Sequence, residues 1–101
     1  MRPVRFHDQA KAELDEAAEW YERKKPGLGG EFRAAVEETV ERIRMNPLLG
    51  FKFARTRFRY RLVPRFPYVV FYGEHPQVIR VMAVAHGSRR PGYWRRRAEE
   101  E

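Results

Sequence analysis

The sequence predicts an α+β domain of β-α-α-β-β-β order, with two N-terminal antiparallel helices packed on a small antiparallel sheet. Three observations predict it. Apolar residues recur at helical spacing in two blocks between Ala10 and Ile43. From Arg57 onward the pattern switches to period two in short runs separated by turn residues. A chain of 101 residues holds one ordinary domain and is too short for two.

Taken in order, Arg2 to Phe6 alternates weakly and fits a first strand. Asp8 stands where an N-cap is expected, and Ala10, Leu14, Ala17, Ala18 and Tyr21 then form one helical stripe against Glu13, Asp15, Glu16, Glu19 and Glu22. Lys24 and Lys25 suit the negative end of that helix, and Pro26 stops it, with the turn made by Gly27, Gly29 and Gly30. Trp20 and Tyr21 read as packing residues. A second helix from about Gly29 to Met45 carries Phe32, Val36, Val40 and Ile43 on one side and ends at Asn46 and Pro47. Two amphipathic helices joined so briefly form an antiparallel hairpin whose apolar stripes need a third element to cover them.

The second half supplies it. After a loop from Pro47 to Ala54, Phe58, Tyr60 and Leu62 alternate with Arg57, Arg59 and Arg61, which reads as a strand with its arginines on the exposed face. Pro64 to Pro67 turns the chain, Tyr68 to Tyr72 is a central apolar strand, and Val78 to Ala85 is the last. There Ile79, Val81, Ala83 and Ala85 share one face by strict alternation, leaving Arg80, Met82, Val84 and then His86 on the other. The whole chain, 1–101, is one domain, with 95–101 as a polar tail.

Charge narrows the function classes. The net charge is +7, but residues 1–50 hold nine Lys/Arg against ten Asp/Glu, whereas residues 51–97 hold twelve against Glu74 alone. The second half therefore carries a field that steers RNA, DNA or an acidic protein surface toward it. There is no cysteine, so disulfide scaffolds and thiol nucleophiles are excluded. His7, His75 and His86 form no metal-ligand spacing, the arginine-rich half lacks paired carboxylates, and the glycines of 26–30 have neither a preceding strand nor a phosphate-loop lysine. No metal and no cofactor is expected. The N-terminus lacks a signal peptide's apolar region and no run reaches membrane-spanning length, so a cytoplasmic protein without membrane contact is expected.

Cleaving RNA without a metal requires a base, an acid and fixed cations for the phosphate. His86 is the candidate base, Tyr93 the acid, and Arg57, Arg61 or Arg89 the phosphate clamp. Against this, an alternating arginine strand is more often a solvated surface than an active site, and Trp94 reads more readily as cover for apolar surface than as chemistry.

The stretches QAKAELDEAAEWYERKKPGLGGEFRAAVEETVERIRMNPLLG (residues 9–50), RFPYVVFY (65–72) and VIRVMAVAHGSRRPGYWRRR (78–97) together resemble the RelE/ParE superfamily of toxins from bacterial type II toxin–antitoxin modules, and its ParE-like, plasmid-stabilisation branch in particular. The resemblance covers nearly the whole chain, its specificity resting on the ordered combination. It implies a toxin neutralised by a cognate antitoxin in a hetero-oligomeric complex. RelE-like members cut messenger RNA on the ribosome, and characterised ParE-like members inhibit DNA gyrase. The nuclease pattern places basic residues on the middle strands, which Arg57 or Arg61 match, an arginine just after the last strand, and an acid–base group beyond it, which Tyr93 matches. Gly87 stands approximately where that arginine belongs, leaving Arg89 to serve from a shifted position. The resemblance therefore puts gyrase inhibition first, with Arg59, Arg65, Arg89, Arg90 and Trp94 as target contacts. A ribosome-dependent endoribonuclease, or a degenerate toxin kept for antitoxin binding, is the alternative.

Overall fold

The computed structural model describes residues 1–100, and the last residue of the expected tail, Glu101, lies outside them. Strand β1 (Val4–Phe6) leads into helices α1 (Asp8–Lys24) and α2 (Leu28–Met45), followed by β2 (Phe51–Lys52), β3 (Phe58–Leu62), β4 (Tyr68–Glu74) and β5 (Ile79–His86). The five strands form one sheet in the order β1-β5-β4-β3-β2. β2 to β5 pair antiparallel, as expected. β1 instead lies parallel to β5, because the helical hairpin carries the chain across the sheet before it returns. The expected loop at 47–54 contains a 3-10 turn, Pro47–Leu49, and the two-residue β2.

Local chemistry accounts for the helix ends. His7, not Asp8, caps α1: its Nδ1 accepts the Gln9 N–H at 3.1 Å, and Asp8 becomes the first-turn acid. Gly27 precedes α2 with φ of 89°, a left-handed conformation that glycine adopts without strain. The Glu22 carboxylate accepts N–H bonds from Gly27 and Gly29 at 2.9 Å each, tying the turn to α1.

Both faces of the sheet are covered. On one side Ala10, Leu14, Phe32, Val36 and Ile43 from the helices meet Val70, Tyr72, Ile79, Val81 and Val84. On the other, Phe58, Met82, Ala83 and Trp94 form a second core, flanked by Phe53, Phe71, Tyr93 and Ala98. That second core corrects three expectations. The aromatics of β3 face the C-terminal segment, so Arg59 and Arg61 point to the helix side of the sheet, beyond the cover of α2, where each is only half-buried. Residues 95–100 form a 3-10 segment, Arg95–Glu100, and Arg97 within it is buried. The phase of β5 also changes: the β4 register steps from Phe71↔Ala83 to Tyr72↔Val81, so Met82 is a bulge residue. Val84 consequently joins Ile79 and Val81 on the helix side, and His86 follows it there.

Candidate functional site

The bulge delivers the end of β5 to α1, and the two line a groove of about 510 Å³. Glu13, Glu16, Ala17, Trp20 and Tyr21 come from successive turns of one α1 face; Val84, His86, Arg89, Pro67 and Tyr68 complete it. Trp20, expected to pack, is 48% exposed, with the Lys24 ammonium 4.8 Å from its ring. Tyr21 does pack, between Phe32 and Phe66.

His86 is exposed and stands edge-on to Tyr68, ring centroids 5.3 Å apart. Its Nδ1 accepts the Ser88 N–H at 3.0 Å and lies 2.8 Å from the Ser88 hydroxyl. The neutral imidazole therefore carries its proton on Nε2, and the nitrogen with a lone pair to offer is already occupied. The Arg89 guanidinium sits 3.8 Å from the Tyr93 ring centroid. Gly87 donates its N–H to the Pro67 carbonyl, and a Cβ there would meet only ordinary contact, 3.5 Å from that oxygen. Packing does not forbid an arginine at position 87.

Tyr93 is held by a carboxylate that sequence reasoning assigned to the solvent face of α1. Glu13 Oε2 accepts the Tyr93 hydroxyl at 2.5 Å and Arg97 Nη2 at 2.9 Å, while Oε1 accepts Arg97 Nη1 at 2.9 Å and the Val84 N–H at 3.0 Å. Arg97 Nη1 also donates to the Met82 carbonyl at 2.9 Å. The reason lies in the sheet edge. β1 ends at Phe6, the His7 N–H takes the Val81 carbonyl, and β5 continues with no strand beside it. The bidentate Glu13–Arg97 pair replaces the missing strand, one partner accepting a backbone N–H and the other donating to a backbone carbonyl. Burial, and then the Glu13 carboxylate, push the Tyr93 phenol well above its ordinary pKa. The available signal was Glu13 itself, an acid beside Leu14 and between Ala10 and Ala17 at the margin of the apolar stripe.

The remaining candidates lie elsewhere. Arg61 lines a second groove with Glu38, Glu41 and Met45 of α2. Arg59 donates to the carbonyls of Leu48 at 3.3 Å and Gly50 at 2.9 Å, holding the 3-10 turn against the sheet. Arg57 is exposed, its guanidinium 4.6 Å from the Phe58 ring. Arg65 reaches Glu31 of α2 at 3.4 Å, and Arg90 is exposed on the turn after β5. Trp94 is fully buried against Phe53, Phe58 and Phe71, so it presents no ring to a target. Among the described residues there is no cluster of three or more His, Cys, Asp or Glu side chains that would hold a metal, and no helix long and apolar enough to cross a membrane.

A helical hairpin over one face of a mixed sheet, with a basic C-terminal segment folded back across the other, defines a class of small α+β proteins. Its fold is similar to that of a chain from the "Chromosomal ParDE TA system from P. aeruginosa", with a TM-score of 0.63 at 15% sequence identity, covering 85% of this chain and 96% of that one. The model of the ParE toxin of the type II toxin–antitoxin system parDE matches residues 4–91. The chain belongs to this toxin family. No curated protein sequence matches it.

Proposed function

We propose that this toxin component of a ParDE-type module acts by contact with DNA gyrase and cuts no RNA. The observation that carries the reading is the dispersal of the acid–base set. Tyr93 donates its O–H to the Glu13 carboxylate in a hydrogen bond, and its raised pKa makes it a poor general acid. His86 and Arg89 share the α1 groove, whereas Arg61 lines the α2 groove and Arg57 lies against Phe58. Position 87 has room for a phosphate-binding side chain and carries none. What remains is an exposed basic surface with Trp20, Arg89 and Arg90 at one end, suited to a protein partner.

The test uses toxin freed of its antitoxin, compared in gyrase supercoiling and in translation of a defined message. Inhibited supercoiling with intact message is expected. Codon-positioned cuts that vanish in His86→Ala or Arg61→Ala, with gyrase untouched, would establish the ribosome-dependent reading. The one observation favouring that alternative is the meeting of His86 and Arg89 in a single groove. Complex formation with the antitoxin and no growth inhibition would mark a degenerate toxin.

A further inference from the structure

Arg55, Arg57, Arg95 and Arg96 line neither groove and gather at the rim of the second core. Two of them are fixed by aromatic rings. The Arg57 guanidinium is 4.6 Å from the Phe58 ring, and that of Arg95 is 5.9 Å from the Phe53 ring. Those rings are neighbours: Phe53 donates its N–H to the Phe58 carbonyl at 3.0 Å, and both pack on Trp94, at 5.4 and 4.9 Å. The turn between them carries Arg55, which is exposed. Thr56 closes that turn, its hydroxyl donating to the Phe53 carbonyl at 2.6 Å and accepting the Phe58 N–H at 3.1 Å. Arg96 follows Arg95 in the 3-10 segment and is also exposed.

No carboxylate is bonded to this group. Glu74, the one acid in residues 51–97, pairs with Arg2, while Glu13 pairs with Arg97 and Glu100 with His7. Among the described residues Arg55, Arg57, Arg95 and Arg96 enter no ion pair. Four guanidiniums around one pair of rings repel one another and gain from an anion that offers several negative charges at once.

The side chains between the charges select that anion. Single-stranded nucleic acid is held by rings that stack on unpaired bases, and here Trp94 is fully buried while Phe53 and Phe58 lie against the guanidiniums. Protein interfaces centre on apolar anchors, and none of the large exposed apolar side chains falls within 53–58 or 92–96. What the surface offers is charge and guanidinium forks, which suit the regularly spaced phosphates of a duplex. Planar forks already held on rings lose little freedom when they bind.

We propose that Arg55, Arg57, Arg95 and Arg96 form a contact surface for the sugar–phosphate backbone of duplex DNA, bound by the antitoxin-free toxin without regard to base sequence. The proposal goes beyond the gyrase reading and is tested without gyrase. Fluorescence anisotropy of a labelled, mixed-sequence DNA duplex of about 20 base pairs, titrated with antitoxin-free toxin, measures the binding. Four phosphate contacts give log K against log salt a slope of about −3 to −4. Arg55→Gln and Arg96→Gln, shown folded by thermal unfolding, should each weaken binding about three- to tenfold at low salt and reduce that slope by about one. Arg23→Gln and Arg42→Gln remove the same charge from exposed positions on the helices and should leave affinity within about twofold. Amide chemical shifts of the isotope-labelled wild-type toxin need no variant, and on adding duplex they should change in 53–58 and 92–97. Absence of binding at about 50 mM salt, equal weakening by the helix variants, or shift changes confined to the helices or the α1 groove overturns the proposal. So does tighter binding of single-stranded DNA or of an RNA duplex, which would give the surface to another nucleic acid.

Discussion

Cutting the Glu13–Arg97 pair should unfasten the C-terminal segment from the sheet. The side chains are 16% and 11% exposed, so replacing Arg97 by alanine leaves a largely buried carboxylate that has lost two charge-assisted bonds, and the Met82 carbonyl loses a donor. Breaking a buried pair by removing one member costs about 3–5 kcal/mol, and the remaining exposure places this pair near the lower end, at about 3 kcal/mol. In a domain of this size that lowers Tm by roughly 12–24 °C. Glu13→Ala should cost at least as much, because it also strips the Val84 N–H and the Tyr93 hydroxyl of their acceptor. The double variant should not recover, since Met82 and Val84 still present backbone groups that nothing else meets. Urea unfolding of the antitoxin-free toxin measures all three. An Arg97→Ala protein within 1 kcal/mol of wild type would refute the account and return residues 95–100 to the status of a polar tail.

Two glycines of α2 should respond in opposite directions. A Cβ on Gly29 would lie 2.5 Å from the Ala18 carbonyl of α1, a backbone atom that cannot move aside, so Gly29→Ala should destabilise by about 1–3 kcal/mol from overpacking despite its better helix propensity. Gly30 has nothing within 4 Å, and Gly30→Ala should gain about 0.5–1 kcal/mol; denaturation midpoints of the two variants check the contrast. The raised pKa of Tyr93 gives a pH dependence. Its folded form holds the proton at a pH where the unfolded chain has released it, so the contribution is complete below the usual tyrosine range near 10 and declines as pH rises beyond it. Tyr93→Phe should flatten the loss of stability above pH 10, the residual slope coming from Tyr21, Tyr68 and Tyr72, which burial also raises.

The elements were legible because each had a local cause: the α1 and α2 stripes, the proline and glycine stops, and the alternation in β3. What the sequence concealed were consequences of long-range pairing. The parallel seat of β1 depends on where the hairpin returns the chain. The aromatic face of β3 depends on Trp94 arriving from 36 residues away to cover it. Alternation alone offers two equivalent faces and cannot say which one the helices take.

The bulge at Met82 had the largest effect on the reading of the site. Strict alternation put His86 with Arg80 and made it a neighbour of whatever the β3 strand displayed. One extra residue in β5 moves Val84 and His86 to the helix side, where His86 meets Trp20, Tyr68 and Arg89. The same irregularity leaves the Met82 carbonyl and the Val84 N–H at an edge without a strand, and it is there that Glu13 and Arg97 bind. That pair in turn draws in Tyr93, the residue a nuclease would need as its acid. A single register step thus sets His86 in the α1 groove, on the same side of the sheet as Arg61 but in a different groove from it, and commits the tyrosine to structure. Neither effect leaves a trace in the period-two pattern of β5, whose residues 81–85 are all small or apolar and fit either phase.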